Sequence, residues 1–190
     1  SPGAATPIDE RIRQLKDTLS ASTADHVAEE VARFRQQGVQ HPDLDHLQGV
    51  IHILKGESLA AAEQFRMAIA KAPGHYRSLV NLAGLVLADG RLEEAQALLQ
   101  SALEQVNSES EQAVPALTNL SLVHQAAGRT MDEALLVLRI HRLKPGHLRP
   151  ERLIQAAGVL QTMAEEPAAI EILQWLSDHH GSEEVWMPLA

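Results

Sequence analysis

The feature that most constrains this chain is a period. Between Asp43 and Asn107 one pattern of residues occurs twice, 34 positions apart: Gly49, Gly56, Ala61, Phe65, Ala68 and Pro73, then Ala83, Gly90, Ala95, Leu99, Ala102 and Asn107. Self-similarity at such a period marks stacked supersecondary units, none of which can bury its apolar face alone. Each position has a mechanical reason. Gly49 and Ala83 fall in mid-helix, where a larger side chain would hold the two helices of a unit apart. Gly56 and Gly90 end the first helix, because a left-handed closing residue costs glycine nothing. Ala61 and Ala68, like Ala95 and Ala102, lie seven apart on one face and let the second helix approach its neighbours. Phe65 and Leu99 fill the wedge between them, and Pro73 stops the second helix.

This order of small, Gly, Ala, bulky, Ala and Pro residues resembles the tetratricopeptide repeat, a helix–turn–helix unit. The resemblance implies an all-α chain of about ten helices, stacked as a right-handed superhelix. Two family positions are altered. Asp45 and Leu79 stand where the family has a large aromatic residue, and His52 and Val86 replace a mid-helix Tyr. The small-residue pattern sets the packing, so the fold tolerates both changes, which also account for the 3% aromatic content.

Helical spacing of Ile8, Ile12, Leu15 and Leu19, then of Val27, Val31 and Phe34, predicts a degenerate leading unit over 8–41, with Ser20–Thr23 breaking the pair and offering caps. Units at 42–75 and 76–109 follow. A third, at 114–147, reads Leu117, Asn119, Leu120, Ser121, Gly128, Ala134, Leu138 and Pro145. Its Gly128 lies 38 after Gly90, so four residues are absorbed at the junction. One residue more separates Gly128 from Ala134 than in the earlier copies; it supplies Thr130, which with Glu133 forms a capping box. Counting from Ala134 puts His141 at the close-packing position, whereas counting back from Pro145 puts Ile140 there. A weaker unit over 148–180 carries Leu153, Ala157, Leu160, Ala169, Ile172, Leu173 and Leu176. The whole of 8–180 is expected to form one solenoid. Residues 1–7 read as a disordered leader or cloning remnant, and 181–190 as a tail or cap.

Composition narrows function. A formal net charge of −9 opposes binding to a nucleic-acid backbone, which clustered Lys and Arg would carry. No apolar run approaches the ~20 residues of a membrane span. The cysteine count of zero removes disulfides and thiolate metal sites. No phosphate loop, nucleophile elbow or zinc-protease helix occurs, so no catalytic residue and no cofactor are expected. Ten histidines raise the question of a metal. His75 and His147 occupy similar turns two units apart, too far to share an ion, and read as turn or cap residues. His46 and His52 lie on different faces of one helix, and Asp178, His179, His180 and Glu183 read as a solvated helix end. Glu93, Glu94, Asp132 and Glu133 read as solvent-facing charge.

In the resembled family the first helix of each unit lines a concave groove. Carried onto this chain, the implied partner-binding positions are Asp43, His46, Leu47, Val50 and Ile53, then Arg77, Val80, Asn81, Gly84 and Leu87, then Thr118, Asn119, Leu122 and Gln125. Asn81 and Asn119 are equivalent; their amides either hold the backbone of an extended peptide or bond to a neighbouring helix. His46 and Pro115 stand where the carboxylate-gripping version of the family has lysines, which argues against a clamp for chaperone tails. The expected function is a non-catalytic protein–protein interaction module that takes a peptide or helix of a partner. The alternative is the substrate-recruiting segment of a larger enzyme of glycosyltransferase, sulfotransferase or oxygenase type, suggested by the leader and by the ending Val185–Ala190. Trp175 and Trp186 could cap the stack or bury against a second copy. A cytoplasmic location is expected, with the periplasm as the other choice.

Overall fold

The computed structural model describes residues 6–179. Those residues form ten α-helices and one short 3-10 turn, with no strand. The helices are α1 (Pro7–Thr18), α2 (Ala24–Gln36), α3 (Pro42–Leu54), α4 (Ser58–Lys71), α5 (Tyr76–Ala88), α6 (Leu92–Leu103), α7 (Val114–Ala126), α8 (Thr130–Leu143), α9 (Pro150–Thr162) and α10 (Glu166–His179). The chain divides into two compact units, Ser1–Leu85 and Val86–Ala190.

In the first unit, α1 and α2 pack on α3, and α3 packs on α4. The repeat residues behave as their sizes require. Ala61, Phe65 and Ala68 are buried on α4. A Cβ built on Gly49 would lie 2.5 Å from Cε1 and 2.8 Å from Cδ1 of Phe65, so the ring occupies the space that the missing side chain leaves. The leading unit keeps the same register with larger residues. Leu15, Val27 and Val31, 34 positions before Gly49, Ala61 and Phe65, are all buried with Ile12, Leu44, Leu47 and Ile51. Thr6 and Pro7, read from sequence as leader, instead start α1. The Thr6 hydroxyl accepts from the Asp9 amide at 3.2 Å and the Asp9 carboxylate accepts from the Thr6 amide at 3.1 Å. Thr23 precedes α2 without capping it by side chain. Its hydroxyl donates to the Thr18 carbonyl at 2.6 Å and accepts from the Ser20 amide at 2.8 Å, closing the turn.

Asp45 holds the place of the family's large aromatic, and it is wholly buried. Arg35 and Lys71 each donate to it at 2.7 Å. A carboxylate with both oxygens in ion pairs satisfies the burial rule that an isolated charge would break. Arg35 also donates to Gln64 at 2.8 Å, joining α2 to α4.

In the second unit α6 packs on α7, α7 on α8, α8 on α9, and α9 on α10. The four extra residues before α7 lie in a polar turn that Arg139 ties down, donating to the Ser108 carbonyl at 2.7 Å. Helix α8 corrects the expected frame. It begins two residues after Gly128, just as α4 and α6 begin two residues after Gly56 and Gly90. No residue is therefore inserted ahead of it; Thr130 is the first helical residue, and no side chain caps this end. In that frame Ile140 stands where Ala68 and Ala102 stand, and it is fully buried, as is most of the adjacent His141. Glu133 then matches Ala61 and Ala95, and Ser121 matches Gly49 and Ala83. Glu133 is accordingly not solvent-facing charge: it pairs with Arg152 of α9 at 3.2 Å, and Arg152 also donates to Ser121 at 2.9 Å.

Leu153, Ala157, Leu160, Ala169, Ile172 and Leu176 are buried in the second unit's core. The turn after α9 lacks a glycine, and Ala164 takes the left-handed conformation there at φ 61°. A side chain in that region is strained by about 1–2 kcal/mol.

Candidate functional site

The first helices of the first unit, α1, α3 and the start of α5, are fastened to one another by a motif that repeats at the period of the fold. His41 immediately precedes α3; its Nδ1 accepts from the Asp43 amide at 3.1 Å, and its Nε2 donates to Asp9 of α1 at 3.2 Å. His75 immediately precedes α5; its Nδ1 accepts from the Ser78 amide at 3.4 Å, and its Nε2 donates to Asp43 of α3. His75 lies 34 residues after His41, and Asp43 lies 34 after Asp9. One imidazole thus caps its own helix and latches the helix before it. The turn role expected of His75 is correct but incomplete, and the Asp9–His41 partner was missed. The signal for both was the 34-residue spacing of the two acids and the two histidines.

Further contacts fix the alignment. Lys16 of α1 donates to Asp43 at 2.7 Å, and the Asn81 amide of α5 donates to His46 Nε2 of α3 at 3.1 Å. His75 meets Asp43 and Asn81 meets His46, so positions ascend together and the two helices run parallel, side by side. Extending the 34-residue register backwards finds Lys16, which stands one period before Val50.

Electrostatics on this face are unequal. Burial works against the Asp43 carboxylate, but hydrogen bonds from His75 and Lys16 outweigh it and hold its carboxyl well below the ordinary range. His46 is pushed down to about 3, first by burial and then by its surroundings, the positive charges of Lys16 and Arg77 among them. Its ring also lies 5.7 Å from Phe65 and 5.5 Å from His75. With Nε2 accepting from Asn81, the proton sits on Nδ1, which is buried without a partner.

The expected partner-binding residues separate by accessibility. Leu47 is only 2% exposed and Val80 only 7%. Leu47 belongs to the core with Ile12, Leu15, Val27 and Val31, because the α1–α2 pair covers that side of α3. These two, with the buried His46, support the surface from beneath. Ile53, Arg77 and Gln125 are exposed, while Val50, Asn81, Gly84, Leu87, Thr118, Asn119 and Leu122 are half-buried. For Asn81 the neighbouring-helix alternative holds, since its amide serves His46; Asn119 also has a partner.

The second unit has a quieter version of this face. His147 hydrogen-bonds Thr118 of α7 at 3.2 Å, and Arg152 reaches Ser121 of the same helix. Trp175 is partly buried against the core, edge-on to His141 at 5.1 Å and stacked on His179 at 4.4 Å. Trp186, His180 and Glu183 lie outside the described residues. Among the described residues, no group of three or more His, Asp or Glu converges on a metal position, and no helix is long and apolar enough to cross a membrane.

Comparison with known proteins agrees with this architecture. Residues 53–120 match the family model for the tetratricopeptide repeat. A search of curated proteins gave no match. Among solved structures, PilF of Pseudomonas aeruginosa superposes with a TM-score of 0.72 at 19% identity, covering 92% of this chain and 77% of its own. MamA of Desulfovibrio magneticus RS-1 gives 0.68 at 12% identity, covering 95% and 99%. YrrB, described as a TPR protein with an unusual peptide-binding site, gives 0.61 at 15% identity, covering 98% of each chain. At these identities the likeness is one of fold. Residues 53–120 thus match the tetratricopeptide repeat, and the described helices share the fold of these solved structures.

Proposed function

We propose that this chain is a non-catalytic protein-interaction module that takes a segment of a partner protein on the face of its first helices. The observation that carries the reading is the repeated His–Asp latch. It holds α1, α3 and α5 in parallel alignment and leaves Ile53 and Arg77 exposed beside the half-buried Val50 and Gly84. A pre-aligned surface loses little ordering entropy on binding, which favours capture of an extended or helical segment. The peptide-binding site named for YrrB supports the same use of the fold. In the second unit, Leu87, Thr118, Asn119, Leu122 and Gln125 are assigned the corresponding role. The reading is non-catalytic because Asp9, His41, Asp43, His75 and Lys16 of the first-unit face are committed to one another as fasteners.

Panning a random dodecapeptide library on the intact chain tests this. Selected peptides should bind the parent and fail to bind a Val50→Glu, Ile53→Glu double variant of unchanged helicity. Equal binding by both proteins would remove the first-helix face from the account.

A further inference from the structure

The latch that repeats twice is broken at its third position, and the break leaves a charge. Asp9 and Asp43 are one period apart; the residue one period further on is Arg77. His41 and His75 immediately precede α3 and α5, whereas the residue immediately before α7 is Ala113. Both halves of the motif are thus changed together, acid to base and imidazole to methyl. Arg77 is exposed, and among the described residues no hydrogen bond or ion pair engages it, while Lys16 and His75 both turn to Asp43. The positive charges of Lys16 and Arg77 reach His46 and, against the opposing charge of Asp43, help hold that ring neutral. Arg77 is thus an exposed positive charge beside a neutralised cluster, on a chain whose net charge is −9.

From this geometry we infer that Arg77 anchors an acidic side chain of the bound segment. The inference rests on the first-helix face being the binding surface and adds the chemistry of what binds there. A guanidinium presents a planar fork of donors that matches a carboxylate, and complementary charge speeds encounter and sets register. The rest of the face sets the spacing. Arg77, Asn81 and Gly84 are successive positions on α5, and the Asn81–His46 bond brings Val50 and Ile53 alongside on α3. Two helical turns separate Arg77 from the Gly84–Val50 level, roughly 10 Å at 1.5 Å per residue. An extended peptide covers that in about three residues at ~3.3 Å each. The segment that fits therefore carries an Asp or Glu followed or preceded, three positions away, by an apolar residue. A terminal carboxylate is the poorer match, because the apolar surface continues beyond Arg77 and a chain end there would leave it uncovered.

The test is an array of C-terminally amidated nonapeptides, Ser-Ala-X-Ala-Ser-Z-Ser-Ala-Ser and its reverse order. X is Glu, Gln or Lys, and Z is Leu, Ile, Val, Phe or Met. The array is probed with the intact chain, with Arg77→Gln and with Arg77→Glu. Arg77 has no role in the core, so both variants should keep parental helicity. The expected result is that Glu peptides bind about tenfold more tightly than their Gln counterparts, the worth of one charge-assisted hydrogen-bonded pair. That preference should vanish in Arg77→Gln and turn towards Lys in Arg77→Glu. Binding that ignores X, or a Glu preference that survives in Arg77→Gln, would overturn the assignment while leaving the groove reading intact. Binding only by peptides with a free C-terminal carboxylate would overturn it in favour of end recognition. Failure of every array peptide would also overturn it, and loss of the panned dodecapeptides from the parent would take the groove reading with it.

Discussion

Two junctions in this chain are near-copies, Lys71-Ala72-Pro73-Gly74-His75 and Lys144-Pro145-Gly146-His147, and they do different work. Lys71 donates to a wholly buried Asp45 at 2.7 Å, whereas Lys144 reaches an exposed Glu111 at 3.5 Å. His75 donates to the carboxylate of Asp43, whereas His147 meets the hydroxyl of Thr118 at 3.2 Å. The junctions share donors and differ in acceptors. Identical turn chemistry becomes an interhelical fastening in the first unit and a surface contact in the second, because the first unit placed Asp at positions 43 and 45. What a repeat residue contributes is thus decided by the helix it faces, not by its own place in the pattern.

The sharpest way to break this comparison is to remove one partner of the lysine ion pair at each junction. Asp45→Ala removes a buried carboxylate and strands two cations that are a third exposed and able to reach water. Urea unfolding should show a loss of about 2–3 kcal/mol, below the full cost of a broken buried pair. Lys144→Ala should cost less than about 0.5 kcal/mol, as exposed pairs do. Equal losses would dissolve the distinction between the junctions.

The next effect tests whether repeat copies are interchangeable. Gly49→Ala pushes a methyl into the Phe65 ring and should destabilise by about 1–3 kcal/mol. The second copy carries Ala and Leu at the same two positions, Ala83 and Leu99. Adding Phe65→Leu to Gly49→Ala should therefore recover much of the loss in the same unfolding assay. A double variant worse than the sum of its parts would show that the copies pack by different rules.

Smaller again is the turn after α9. Ala164→Gly relieves a left-handed alanine and should stabilise by about 1 kcal/mol. The gain should appear as a raised urea midpoint, and an unchanged midpoint would mean the turn is not strained.

The last effect is read against pH. His46 titrates near 3 when folded and near 6.5 when unfolded, so the unfolded chain binds the extra proton between those values. Its contribution is complete above pH 6.5 and declines as pH falls towards 3. Asp43, with its folded value depressed, adds a loss of the same sign only below its ordinary value of 3.8. Between pH 6.5 and 4.5 the fall in urea midpoint should be shallower in His46→Gln than in the parent.

Much of the fold was legible because the period is written in residue size. Gly49 against Phe65 and the buried Ala61, Ala68, Ala95 and Ala102 could be read directly. The leading unit was harder, since Leu15, Val27 and Val31 keep the register while discarding the small residues that announce it. In α8 the eye follows Ala134, yet the helix start shows that Glu133 holds the alanine position, paired with Arg152. No pattern of apolar residues reveals a polar substitution that is balanced by a partner 19 residues away. The candidate face was half legible. Family positions located the right helices, but Leu47 and Val80 are taken up by packing, which depends on the neighbour across the helix. The His–Asp latch is written in the spacing of Asp9, His41, Asp43 and His75, at positions outside the small-residue pattern that announces the repeat.

The central claim is that the first-helix face of the first unit, around Arg77, receives the partner. It is tested most directly by amide 1H–15N spectra of the intact chain during titration with the tightest Glu-containing array peptide. The account predicts shifts concentrated at Val50, Ile53, Arg77, Asn81 and Gly84, reduced in Arg77→Gln. Shifts confined instead to the opposite side, at the exposed Leu59 and Met67 of α4, would contradict it.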